Sequence, residues 1–505
     1  MQKKRMSILF IVKFKTALKK WKKRFRCGKI AMPAKNKTNL GLAKNNVGAI
    51  DMKIVLAGCG KIGKTIISSL IKEKHDVTAI DVNPKVVDDT VNAYDVMAIV
   101  GSATEYSILK EAGVQKADLF IAVTGSDELN MLGCLAAKKL GASYTVARIR
   151  NLENNDESLE FMQKNLDLDM AINPELMAAQ AIYNVIKLPS ATKVEMFSSR
   201  HLKMLELILP EKSALDGITL KEIRKNRKER FLICTIGRNN EIFIPNGDFV
   251  IRSGDKIGLI VSETDIHKVL ALLGIQDKAV SGVMIIGAGI ISRYLSKMLS
   301  IDHIPVKIIE NDDKLCDLIG EGLTSNVTLV NGDGMSQDLL LEEGILSSDA
   351  FIALTGKDEL NILISFYAMS QKVGKVIGKV NSNEFSSLAE KLGLTGIITP
   401  KKIVADAMVK YARALQSSLG CQIETLYSLM NGMAEAAEFK VLSDFEHLNI
   451  PLKTLNIKKN YIIAGIIRNR KAIIPSGEDV FLNGDHVIVI AKGKHIYALS
   501  DIVAE

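Results

Sequence analysis

The sequence predicts an α/β chain in which two doubly wound parallel sheets alternate with two small α+β modules. Three observations carry that prediction. Short aliphatic runs alternate with amphipathic segments, the pattern of parallel strands joined by crossover helices. The alternation occurs twice, because residues 52–275 and 281–505 align in register. Each copy then changes character and ends in β-rich runs broken by hairpin turns.

The duplication rests on three blocks in the same order. MKIVLAGCGKIGKTIISSL (52–70) matches GVMIIGAGIISRYLSKML (282–299). ADLFIAVTGSDELNML (117–132) matches SDAFIALTGKDELNIL (348–363), and IPNGDFVIRSGDKIGLIV (244–261) matches IPSGEDVFLNGDHVIVIA (474–491).

Taken in order, residues 1–51 form a basic extension outside the fold. Residues 1–50 hold fifteen Lys and Arg and no acid, so the formal net charge of +9 leaves the remainder at about −6. The segment KFKTALKKWKKRFR (13–26) suits an amphipathic membrane-surface arm or a nucleic-acid-binding arm. A third reading places the true start at Met52, where MKIVLAGCGKIG opens directly as a first strand. SILFIVKF is too short to span a bilayer, and no later stretch reaches 18 uninterrupted apolar residues.

Within the first copy, VTAID (77–81), DVMAIVG (95–101), LFIAVT (119–124) and YTVARI (144–149) read as buried strands. TIISSLIKE and ELNMLGCLAAKKLG read as the helices between them. A proline-started helix closes each unit, PELMAAQAIYNVIK at 174–187 and PKKIVADAMVKYAR at 400–413. FLICTIGRNNEIFIP and YIIAGIIRNRKAIIP then read as hairpins turning at Arg238-Asn239-Asn240 and Arg468-Asn469-Arg470. The expected division is 52–175 and 281–400 for the sheet domains, with 176–275 and 401–505 each holding a crossover helix and a small module.

The stretch Gly58–Thr65, GCGKIGKT, fits both a P-loop and the G-x-G-x-x-G turn of a dinucleotide-binding Rossmann domain. The second copy decides. Its counterpart is Gly287-Ala288-Gly289-Ile290-Ile291-Ser292-Arg293-Tyr294, which keeps the G-x-G pair and loses the Gly-Lys-Thr that would hold phosphate and Mg²⁺. A strand-end acid follows each turn at the same distance, Asp81 after Gly60 and Glu310 after Gly289, 21 residues on in each case. A carboxylate there accepts hydrogen bonds from an adenosine ribose and repels a 2′-phosphate, so NAD(H) or an adenine nucleotide is expected over NADP(H). Gly58 permits the turn, Gly60 lets backbone amides approach the pyrophosphate, and Gly63 lets the helix pack close to the sheet. Ser292 replaces the third glycine in the second copy, which predicts looser packing and altered binding there.

Six scattered cysteines (Cys27, Cys59, Cys134, Cys234, Cys316, Cys421) form no C-x-x-C pair and read as reduced thiols of a cytosolic protein. Seven dispersed histidines suggest no metal site, and no catalytic residue stands out.

These motifs together resemble the TrkA family, the peripheral NAD-binding subunits of Trk-type potassium uptake, whose nucleotide domains belong to the RCK (also KTN) family. The likeness covers essentially all of 52–505. It implies paired RCK N-terminal and C-terminal domains in a cytosolic ring, a homotetramer, docked peripherally on the inner face of the cell membrane. The partner it implies is a Trk-type membrane potassium-translocating subunit, gated as NAD⁺/NADH or ATP/ADP binds. By the same likeness Gly58, Cys59, Gly60, Lys61 and Ile62 surround the pyrophosphate, with Gly63 behind them, and Asp81 takes the ribose. Thr124 and Gly125 end the fourth strand against the ligand, and Arg148 ends the fifth facing phosphate. The matching second set is Gly287, Ala288, Gly289, Ile290, Ile291, Glu310, Thr355, Gly356 and Lys379. Lys379 opposite Arg148 keeps the charge and loses the bidentate fork. Where family members often carry Gly-Asp-Ala-Thr, 101–104 reads Gly-Ser-Ala-Thr and 332–335 reads Gly-Asp-Gly-Met.

The alternative class is an NAD-dependent oxidoreductase, which needs a proton-handling side chain and a domain to receive substrate. The small modules lack matching histidines, as His201 and His267 have no counterparts. A nucleic-acid partner is not expected, because the folded part is net acidic.

Overall fold

The computed structural model describes residues 51–150, 165–197, 202–211, 213–225, 229–239, 241–275, 278–320, 322–418, 423–493, 496 and 498–504. The basic extension, Cys27, Cys421, His201 and Asn240 lie outside the described residues.

The first sheet is built from β1 (Lys53–Ala57), β2 (Asp76–Asp81), β3 (Met97–Val100), β4 (Leu119–Ala122), β5 (Tyr144–Arg148) and β6 (Met170–Ile172). All neighbours are parallel, in the order β3-β2-β1-β4-β5-β6. Strand order reverses between β1 and β4, and a crevice opens there at the carboxyl ends of the strands. Helix α1 (Lys61–Lys72) follows β1, α2 (Asp127–Leu140) follows β4, and α3 (Pro174–Ile186) closes the unit.

The first small module is an antiparallel sheet of β7 (Ala191–Met196), β8 (Leu202–Ile208), β9 (Phe231–Arg238), β10 (Glu241–Phe243) and β11 (Lys256–Ser262), in the order β10-β9-β11-β8-β7.

The second copy repeats this plan. Its parallel sheet holds β12 (Val283–Ile286), β13 (Val306–Glu310), β14 (Val327–Asn331), β15 (Ala350–Ala353), β16 (Lys375–Lys379) and β17 (Ile397–Ile398), ordered β14-β13-β12-β15-β16-β17. Helices α4 (Ile290–Ile301), α5 (Asp358–Ser370) and α6 (Pro400–Ser418) match α1, α2 and α3. The last module holds β18 (Ile423–Leu429), β19 (Ala434–Lys440), β20 (Tyr461–Arg468), β21 (Lys471–Ile473) and β22 (His486–Lys492), ordered β18-β19-β22-β20-β21. In its hairpin Asn469 and Arg470 both have positive φ, as a two-residue type I′ turn requires.

The two proline-started helices are exchanged between copies. Val404, Ala405, Met408, Tyr411, Ala412 and Leu415 of α6 share one core with Ile54, Leu56, Ile66 and Ile67 of the first sheet domain. Ala178, Ala179, Ile182, Val185 and Ile186 of α3 share another with Ile285, Ile291, Leu295 and Leu299 of the second. In each sheet domain the helix after the glycine turn packs on the sheet, and the proline-started helix of the opposite copy packs over it in the same core. The two small modules also meet over one core, which includes Phe197, Met204, Cys234, Tyr427, Leu429 and Ile488, with the Phe197 and Tyr427 rings edge to face at 5.3 Å.

Candidate functional site

The crevice begins at the turn after β1. Gly58 has φ +100°, and a Cβ there would lie 2.7 Å from the Thr124 amide nitrogen. At Gly60, the N-cap of α1, nothing stands within 4 Å of where a Cβ would be, so the space before the helix N-terminus is open to a ligand. A Cβ at Gly63 would lie 1.9 Å from the Gly58 carbonyl oxygen, so only glycine lets the helix approach the turn this closely. Ser292 stands there in the second copy and donates its hydroxyl to the Gly287 carbonyl at 2.5 Å. The hydroxyl turns a steric block into a hydrogen bond, within a turn that sits further from its neighbours.

Lys64 and Thr65 do not serve the turn. Lys64 faces Asp89 at 3.6 Å, and the Thr65 hydroxyl donates to the Lys61 carbonyl at 2.8 Å. The P-loop reading therefore fails on geometry as well as on repeat logic.

Asp81 ends β2 at the rim. Its carboxylate accepts the Cys59 N–H at 2.7 Å and the Asn83 N–H at 3.0 Å, which fixes its orientation and leaves lone pairs toward the crevice. Glu310 accepts the Ala288 N–H at 2.7 Å and the Asn311 N–H at 2.9 Å in the same way. Cys59 itself is fully buried, and burial with Asp81 nearby pushes its thiol up to about 12, so it contributes backbone and not a thiolate.

The strand-end Thr-Gly segments are held by buried asparagines. Asn130 accepts the Thr124 N–H and hydroxyl at 2.8 and 2.7 Å, and donates to the Arg148 carbonyl at 2.9 Å. Asn361 repeats all three bonds with Thr355 and Lys379, at 2.9, 2.7 and 2.9 Å. Ser126, not Thr124, caps α2, accepting the Leu129 N–H at 3.2 Å.

Gly58, Gly60, Lys61, Ile62, Asp81, Thr124, Gly125 and Arg148 line a cavity of about 890 Å³, and Gly289, Ile290, Ile291 and Lys379 of the second copy line the same one. The first crevice and the helix end of the second glycine turn thus border one space. Cys59, Gly63, Gly287, Ala288, Glu310, Thr355 and Gly356 do not line it.

Where the copies meet, Arg148 leans on Glu175 at 3.5 Å, the residue after the proline that opens α3. The fit is incomplete, since Arg148 Nε and Glu175 Oε2 are buried without hydrogen-bond partners. Burial weakens the hold of the Arg148 guanidinium and of the Lys379 ammonium on their protons, and Glu175 partly offsets this for both. Lys379 donates to the Leu354 carbonyl at 3.3 Å. Lys401, after Pro400, lines the same cavity as Glu175. Sequence reading missed Glu175 and Lys401; the one available signal was their opposite charge at matched positions beside the two prolines.

These residues fit a dinucleotide. The open approach at Gly60, the fixed rim carboxylate and the Arg148 guanidinium with its unpartnered Nε are the surfaces a pyrophosphate with an adenosine ribose would use.

A further cluster lies away from the crevice. His486 Nδ1 is 2.8 Å from Glu424 and 3.4 Å from the fully buried Glu438, three side chains close enough to hold one cation, where sequence reading saw no metal site. The two carboxylates raise the His486 pKa to about 9, so the imidazolium proton supplies the positive charge.

Comparison with known proteins places the likeness. The TrkA-N domain model matches 54–174 and 283–400, and the TrkA-C domain model matches 204–274 and 436–504. A Trk system potassium uptake protein TrkA homolog from Archaeoglobus fulgidus is 33% identical over 451 residues, covering 89% of this chain and 100% of the relative. TrkA of Haemophilus influenzae is 27% identical, over 88% of this chain and 96% of the relative. Among solved structures, the GsuK RCK domain superposes with a TM-score of 0.59 at 16% identity, over 91% of this chain and 96% of that one. The GsuK channel bound to NAD superposes with a TM-score of 0.58 at 16% identity, over 88% and 77%. At that identity the structural likeness is one of fold: the tandem RCK architecture.

Proposed function

The chain belongs to the TrkA family of Trk-system potassium uptake proteins, and from that premise we propose that it is a nucleotide-binding regulatory subunit gating a Trk-type potassium-translocating membrane partner. The observation that carries the reading is the pair of glycine turns with strand-end carboxylates held alike, in register, Asp81 lining a cavity that the second turn also borders. Among the described residues no helix is long and apolar enough to cross a membrane. In this reading the ion path belongs to the partner, and this chain sits peripherally on the cytoplasmic face as a homotetrameric ring.

The ligand is NAD⁺/NADH, with ATP or ADP as competing occupants of the same turns. Its diphosphate lies before the N-termini of α1 and α4, and Asp81 and Glu310 take the ribose hydroxyls. The inner end of the ligand meets Arg148, Glu175, Lys379 and Lys401 at the junction. Bound NAD supplies shape and charge here and transfers no hydride; relatives carry the names of potassium uptake proteins, not of oxidoreductases. Gating requires one arrangement of the two halves to bind nucleotide more tightly than another, since equal affinity would shift no population. The division into 52–175, 176–275, 281–400 and 401–505 belongs to this proposal and follows the four sheets.

Calorimetric titration of the full chain with NADH, NAD⁺, ATP and ADP tests it. Two sites per chain with unequal affinities are expected, and Asp81→Ala weakens the first by about tenfold or more, the worth of a charge-assisted hydrogen bond. Binding by none of the four ligands overturns the reading.

A further inference from the structure

We propose that the first nucleotide crevice is coupled to the second small module through the buried guanidinium of Arg413, by a route that the second crevice lacks. The inference rests on the nucleotide reading above and adds the path by which one site is felt elsewhere.

Helix α1 starts at the glycine turn and ends at Lys72, with Glu73 as its C-cap. Glu73 is buried and receives Arg413 Nε at 2.5 Å and Nη2 at 2.6 Å. Arg413 belongs to the exchanged helix α6 and is 1% exposed. It also reaches Glu435, with Nη1 at 2.9 Å and Nη2 at 3.1 Å. Glu435 sits on β19, which pairs with β18 on one side and β22 on the other. One guanidinium therefore ties the end of the nucleotide helix, the exchanged helix and the sheet of the second module.

The equivalent junction is built differently. Lys187 stands thirteen residues after Pro174, as Arg413 does after Pro400. It reaches Asp302, the C-cap of α4, at 3.2 Å, is half exposed, and Tyr183 donates to the same carboxylate. The position of Glu435, second in its strand, is held in β8 by Lys203, which turns to Glu263 at 3.0 Å. Two lysines cannot bridge, so among the described residues the charged path from the second crevice stops at α3.

Charge burial makes the first path stiff. A buried guanidinium cannot leave the buried Glu73 and half-buried Glu435 carboxylates without leaving a charge unpaired. A 12-residue helix moves as a rod, so a shift of its N-terminus onto a diphosphate is delivered to Glu73 at the other end. Arg413 follows its partner, and Glu435 follows Arg413.

The test is hydrogen exchange of the full chain with and without NADH, in wild type and in Glu435→Gln, with binding measured by titration on the same samples. In wild type NADH changes the exchange rate of residues 434–440 by about fivefold or more, the low end of a coupling effect, and that of β8 by less. Glu435→Gln still binds NADH, with affinity altered by no more than the coupling factor, about fivefold, and its β19 response falls to the level of β8. A variant whose β19 responds as in wild type overturns the inference, as does a wild type whose β19 ignores bound NADH. Failure of wild type to bind NADH overturns instead the reading beneath it. Should Glu435→Gln not fold, Glu435→Asp keeps the charge and withdraws it, and must show the same loss of response.

Discussion

Gly63 and Ser292 occupy one position in two copies and solve it in opposite ways. The first copy has no room for a Cβ, whereas the second holds a hydroxyl against the Gly287 carbonyl. Gly63→Ser should therefore strain the first turn by about 1–3 kcal/mol, the usual cost of overpacking, and abolish binding there. Chemical denaturation and nucleotide titration check this; an unchanged first site would mean that the turn relaxes freely. His486 allows a second expectation. Its folded pKa of about 9 exceeds the unfolded 6.5, so its contribution to stability is full below pH 6.5 and lost as pH rises through 9. Replacing His486 with Gln should flatten that part of the profile of denaturation midpoint against pH. The glycine turns and the strand-end acids Asp81 and Glu310 were legible in sequence because backbone clearance demands glycine and the acid recurs 21 residues on in both copies. Glu175, Lys401 and the Glu424–Glu438–His486 cluster were not, because their partners come from distant parts of the chain.

Among the elements, strands and helices fell where periodicity placed them, with shifts of a few residues at ends. VTAID became Asp76–Asp81 and PELMAAQAIYNVIK became Pro174–Ile186, while PKKIVADAMVKYAR extends to Ser418. What the pattern could not reveal is the exchange of α3 and α6. An apolar stripe tells that a helix packs, and says nothing about which domain receives it. Met408, fully buried on α6, is a probe of this arrangement. Met408→Ala should cost about 2–5 kcal/mol through the cavity it leaves. The loosening should show in hydrogen exchange of β1 and β2, which lie far earlier in the chain, and not in β12 and β13. Loosening confined to the second copy would contradict the exchanged packing.

For the whole molecule, each half is incomplete alone. Residues 52–280 retain α3 with its apolar face and lack the α6 that covers their own sheet domain. Expressed alone, that half should pair with a second copy of itself by the same exchange, giving a dimer in light scattering; a stable monomer would show that the cover is dispensable. The duplication was plain from three aligned blocks, and so the four-part plan was legible. That the second glycine turn borders the cavity of the first crevice was not, because no feature of either copy records how the two turns face each other.

The exchange also sets a clock on synthesis. The face that Val404, Met408 and Leu415 will cover emerges from the ribosome with the first strands, whereas its cover emerges only near the end. At roughly 5–20 residues per second, translation leaves that surface bare for some tens of seconds. During that interval several ribosomes on one message carry identical uncovered faces at close quarters. The order in which the chain leaves the ribosome thus becomes a hazard of cross-pairing that the finished protein no longer displays.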